Sequence, residues 1–146
     1  MKNFKFWYCW LIVASCLIIL FGLSMVLFSN TFLFGYFNNM VHNNFPVNGD
    51  LIVLKSLLTW LYAVLGATMI GWGICILYVL QNAFIRKERW AWFAIIVGLL
   101  AWFIPDTFMS YFSGAIFNVV LNFLLLLAFL LPLVLTFKDF NAKKNV

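Results

Sequence analysis

Asp106, Ser110, Asn118 and Asn122 stand at multiples of four within residues 102–122, in a chain whose apolar stretches hold few other polar side chains. A carboxylate, a hydroxyl and two amides can hold a cation, a lipid head group or a small polar molecule. An acid in such a place also invites proton coupling, although Asp106 lies too near the end of its apolar stretch to favour it. These residues do not make a catalytic set. No nucleophile has a base beside it, no HxxxH or HExxH pattern is present, and the sole histidine, His42, cannot supply the paired axial ligands of a haem. No glycine-rich phosphate loop occurs, because Gly71, Gly73 and Gly98 fall inside apolar stretches. Cys9, Cys16 and Cys75 form no CxxC pair, and a cysteine in lipid is usually a small packing residue. The expectation is a non-enzymatic chain without metal or cofactor, with Asp106, Ser110, Asn118, Asn122 and His42 as candidate ligand-binding residues.

The elements that must position these side chains follow from composition. The 146 residues are 66% hydrophobic and 9% charged, with a mean hydropathy of +1.07. A water-soluble domain of this size has too large a surface fraction to hide that much apolar area, so lipid must be the main solvent. Residues 7–28, 56–80, 90–111 and 116–137 are apolar stretches. Each has the roughly 20 residues that cross about 30 Å of hydrocarbon at about 1.5 Å per residue. The expected fold is all-α, a single domain over residues 1–146 built as a four transmembrane helix bundle.

Charge placement gives the threading. The net charge is +5, with Lys2 and Lys5 before the first stretch, Arg86, Lys87 and Arg89 between the second and third, and Lys138, Lys143 and Lys144 after the fourth. Only Lys55 departs from this pattern. Basic segments mark the cytoplasmic side, which predicts both termini cytoplasmic and a multi-pass protein of the cell inner membrane. The basic surplus is then a matter of topology and anionic head groups, and no nucleic-acid partner is implied. Residues 13–16, "VASC", also fit a lipoprotein cleavage box. The apolar run continues to Phe28, however, so a full-length first helix is expected.

Between the first two spans, Leu33, Tyr36, Phe37, Met40 and Val41 follow helical spacing, with Asn38, Asn39, His42 and Asn43 on the other side. This predicts a short amphipathic helix in the first outer loop, ended before Pro46 and followed by Asp50 as a cap on the second span. It would lie in the head groups or cover the outer mouth as a lid. The second span carries Ala63, Ala67 and Gly71 at four-residue spacing, and the third carries Ala94 and Gly98. Small faces let helix backbones approach closely, so these stripes are candidates for packing on each other or on a second copy. Pro105 predicts a kink or an end near Asp106, and Ser113-Gly114 predicts a turn. The four polar residues would then belong to two helices, with Asp106 and Ser110 brought towards Asn118 and with Asn122 deeper. Two readings follow: interhelical hydrogen bonding alone, or an outward-facing pocket that binds or transports a small polar or cationic ligand.

The four spans, the basic "RKERW" turn and the late "WFIPD" followed by "LPLVLT" make the chain similar to the DoxX-like and other small four-helix bacterial inner-membrane proteins. The resemblance covers most of the chain. It implies at most an accessory membrane subunit. The partners expected from the residues are the lipid bilayer and either a homo-oligomer, through a small-residue face, or a larger membrane complex.

Overall fold

The computed structural model describes residues 2–31, 34–44 and 51–141, and among them the regular elements are all helical. Helix α1 is Lys2–Phe28, α2 is Gly35–Asn44, α3 is Leu51–Val79, α4 is Arg89–Phe112 and α5 is Ile116–Asn141, with a π-helical turn at Leu80–Phe84 extending α3. Four stretches, Asn3–Phe28, Ile52–Phe84, Arg89–Phe112 and Ile116–Phe140, are long and apolar enough to cross a membrane. The chain is thus built as a multi-pass membrane protein. Its helices overrun the apolar stretches, taking in Asn3 and Lys5 at one end and Lys138 and Asp139 at the other. A helix satisfies its own backbone in lipid or water, so it need not stop where apolar sequence stops. Leu33, Pro46, Asp50, Lys143 and Lys144 lie outside the described residues.

The chain divides into two compact units. The first holds the described residues of 1–16 and 75–146. Its centre is the antiparallel pair α4 and α5, joined by a turn in which Gly114 takes φ +74, a left-handed conformation that favours glycine. The Gly114 N–H donates to the Tyr111 carbonyl at 3.1 Å and the Ala115 N–H to the Ser110 carbonyl at 2.9 Å, so the end of α4 keeps bonded carbonyls through the turn. Further from the turn, Phe103 meets Phe123 edge-on at 5.1 Å, and Trp92 Nε1 donates to the Leu133 carbonyl at 2.8 Å. Pro105 does not end α4, which runs on to Phe112. A proline removes one backbone donor, and a membrane helix held by a neighbour along its length tolerates that loss.

At the opposite end of this unit, Phe84 is fully buried between two rings. It stacks on Phe4 at 5.9 Å and meets Phe140 at 4.6 Å. The chain leaves the π-helical turn through Lys87 at φ 59, with its N–H on the Phe84 carbonyl at 2.9 Å. Lys87 Nζ then lies 4.7 Å from the Phe4 ring centroid and 3.3 Å from Asp139 Oδ1. Trp10 Nε1 donates to the Ala128 carbonyl at 2.9 Å, tying α1 to α5 within the same unit.

The second unit, residues 17–74, is built on a close approach of α1 and α3. A Cβ added at Gly66 would lie 2.5 Å from the Gly22 carbonyl oxygen, and one at Gly22 would lie 2.6 Å from the Gly66 oxygen. Backbone meets backbone here, and such van der Waals contact supplies much of the association energy of helices in lipid. The small-residue stripes do not mark this approach. Ala67, Gly71 and Ala94 are exposed, Ala63 and Gly98 are half-buried, and a Cβ at Gly71 or Gly98 would meet nothing within 4 Å. Successive helical residues point about 100° apart, so Gly66 and Ala67 present different faces of α3.

Candidate functional site

The antiparallel register of α4 and α5 decides which polar side chains meet. Asp106 and Ser110 lie one turn apart on α4, and Ser110 Oγ donates to Asp106 Oδ1 at 3.1 Å. From α5, Asn118 Nδ2 donates to the same carboxylate oxygen at 3.0 Å and to Ser110 Oγ at 2.8 Å. Both hydrogens of that amide nitrogen are thereby engaged, and the carboxylate oxygen receives two donors. One turn along α5, Asn122 Nδ2 donates to Thr107 Oγ1 at 3.2 Å. Ser110 and Asn122 are buried, while Asp106, Thr107 and Asn118 are half-buried. The hairpin thus carries two polar clasps, one near the turn and one deeper.

Asp106, Ser110 and Asn118 are brought together, and Asn122 bonds next to them rather than with them. Its partner Thr107 falls outside the four-residue spacing that starts from Asp106. The signal was the register: if Asn118 faces Ser110 across an antiparallel pair, Asn122 faces residues 106–107. His42 belongs to the second unit, on α2, where it lines a cleft of about 230 Å³ together with Asn38, Lys55 and Tyr62. Of the packing candidates, Gly71 and Gly98 have open space beside them, whereas Gly66 is held against Gly22.

No family model, curated protein or solved structure matches this chain. Among the described residues no group of three or more His, Cys, Asp or Glu is placed to hold a metal ion. The Asp106 network sets the Ser110 hydroxyl on a carboxylate, and Asn118 from α5 holds both of them. Its chemistry is that of hydrogen bonding between helices, where burial in lipid penalises any polar group left unpaired.

Proposed function

We propose that this chain is a small, non-enzymatic protein of the cell inner membrane, a four-helix bundle with both termini cytoplasmic, that acts as an accessory or interaction subunit. The observation that carries this reading is the mutual pairing of Asp106, Ser110 and Asn118 across α4 and α5. A ligand at Asp106 Oδ1 would first have to displace two donors, which weighs against a cation or small-molecule pocket centred on that oxygen. The exposed face of Ala67 and Gly71 supports the interaction role, since it leaves backbone accessible to another helix from a second copy or a larger complex.

Two measurements test the proposal. In detergent, Asp106→Asn keeps an acceptor for Ser110 and Asn118 and is expected to change stability by less than about 1 kcal/mol. Asp106→Leu removes the acceptor and is expected to cost about 1–2 kcal/mol. Neither variant should alter the response of the melting temperature to added cations. A cation-dependent rise in the wild type that Asp106→Asn abolishes would make this cluster a ligand site and overturn the proposal. For the interaction role, Gly71→Leu is expected to lower the proportion of assembled protein on size exclusion in mild detergent, with the melting temperature of the monomer unchanged. Assembly that persists in Gly71→Leu would remove this face from the interface.

A further inference from the structure

The second unit holds a polar cleft apart from the Asp106 network. Its walls are Ser29 and Asn30 after α1, Asn38 and His42 on α2, and Lys55 and Tyr62 on α3. Asn38 Nδ2 faces the Ser29 carbonyl in a long contact of 3.5 Å. That leaves Asn38 Oδ1 as a buried acceptor with no partner, and the Tyr62 hydroxyl is likewise buried with none. Unmet buried polar atoms are costly in a low-dielectric setting and call for a partner. Charge sets the sign of that partner. Among the described residues, Lys55 has no acidic partner and no carboxylate lines the cleft.

A second depression of about 400 Å³ shares Asn30, Lys55 and Thr59 with the first and continues along α3 past Trp60 and Ala63. Thr59 lines both, its hydroxyl 2.8 Å from Asn30 Oδ1. The groove therefore grades from an amide-rich, cationic end to the side of an apolar membrane helix. At about 230 Å³ the polar end is smaller than the roughly 300 Å³ at which pockets for drug-sized molecules begin, which suits a head group.

We propose that this groove binds the hydroxylated phosphodiester head group of an anionic glycerophospholipid. The phosphate lies against the Lys55 ammonium, and a head-group hydroxyl donates to Asn38 Oδ1. The Tyr62 hydroxyl donates to a phosphate oxygen or accepts from a second hydroxyl, and the glycerol backbone and acyl chains follow α3 past Trp60. A primary-ammonium head group also has donors for Asn38, but its cation is repelled by Lys55. A carboxylate ligand has no hydrogen to give Asn38 Oδ1.

The test uses the full chain in nanodiscs and in detergent, with lipid retention read by native mass spectrometry and binding by thermal shift. Phosphatidylglycerol is expected to be retained at least tenfold better than phosphatidylethanolamine. Lys55→Gln, at an exposed position, should weaken retention about tenfold, the scale of one charge-assisted hydrogen bond. Asn38→Asp keeps the side-chain shape but sets a negative charge beside the phosphate, and should weaken it similarly. Soluble glycerol 3-phosphate separates the sources. A shift with the lipid alone supports the membrane as the source, and an equal shift with the soluble ester assigns the same site to a free phosphate ester and overturns the lipid assignment. Equal retention of both lipids, or wild-type retention in Lys55→Gln and Asn38→Asp, overturns the proposal outright.

Discussion

Gly66→Leu is expected to destabilise the folded protein by about 3 kcal/mol or more, while Gly71→Leu, on the same helix, leaves the monomer within about 0.5 kcal/mol of wild type. At Gly66 the first added carbon lands 2.5 Å from the Gly22 carbonyl oxygen and 3.0 Å from Met25 Cβ, and neither neighbour is the free end of a flexible side chain. The helices must separate, and separation forfeits the dispersion contacts along the whole seam, together with any Cα–H···O contacts that close backbones make. At Gly71 the same carbon enters open space. Gly22→Ala should resemble Gly66→Leu in direction, since its Cβ would sit 2.6 Å from the Gly66 oxygen. Reversible unfolding by sodium dodecyl sulfate in mixed micelles, followed by far-UV circular dichroism, reads all of these variants. Equal stabilities for the Gly66 and Gly71 variants would mean that α1 and α3 do not meet at this point.

That comparison also shows what the sequence could reveal about packing. Four-residue spacing of Ala63, Ala67 and Gly71 identified a small face on α3, but small residues allow close approach on any face and do not say which face is used. The better signal lay in α1. Leu11, Ser15, Ile18, Gly22, Met25 and Ser29 are all buried, and they follow a 4-3-4-3-4 pattern with a small residue at every seventh position. On α3 the corresponding buried positions are Gly66, Gly73, Ile76 and Leu80, again in steps of seven, three and four. Such steps are the mark of a helix seam. In a helix that is apolar all round, hydrophobicity has no phase, so only the placement of small residues carries orientation, and it has to be matched between two helices to be read.

The candidate site was legible for a different reason. Polar residues in apolar sequence stand out one by one, and lipid obliges them to find partners. Gly114 after a serine located the turn, and the turn fixed the register that brings Asn118 to Asp106 and Ser110. Two things stayed hidden. Pro105 suggested an end or kink that α4 does not take as an end, because support from α5 is a tertiary effect absent from local sequence. The cleft of Asn38, Lys55 and Tyr62 depends on α2 lying over α3, and no spacing rule within either helix brings these residues together.

The second large effect is expected at Phe84, where Phe84→Ala should cost about 2–3 kcal/mol. In a water-soluble core such a truncation costs about 3–5 kcal/mol, part of it the loss of apolar transfer from water. Lipid is as apolar as the protein interior, so the transfer part largely vanishes and the cavity part remains. That remainder is large here because Phe84 has 0% exposure and is held between Phe4 of α1 and Phe140 of α5. Leu80, Ala83 and Phe84 are all buried, at the i, i+3, i+4 spacing that shares one helix face, and the Ile85 N–H closes the wide turn on the Leu80 carbonyl at 3.1 Å. The neighbouring polar contacts are weaker. Lys87 and Asp139 are each about one-third exposed at 3.3 Å separation, and a solvated pair of this kind contributes at most about 1 kcal/mol, even with the lysine over the Phe4 ring. The expected order of destabilisation is therefore Phe84→Ala, then Phe84→Leu, which refills part of the cavity, then Lys87→Ala, measured as shifts of the unfolding midpoint in mixed micelles. Added salt should diminish only the last effect. A Lys87→Ala penalty exceeding that of Phe84→Ala would make the ion pair, rather than the stacked rings, the main tie between the start of α1 and the ends of α3 and α5.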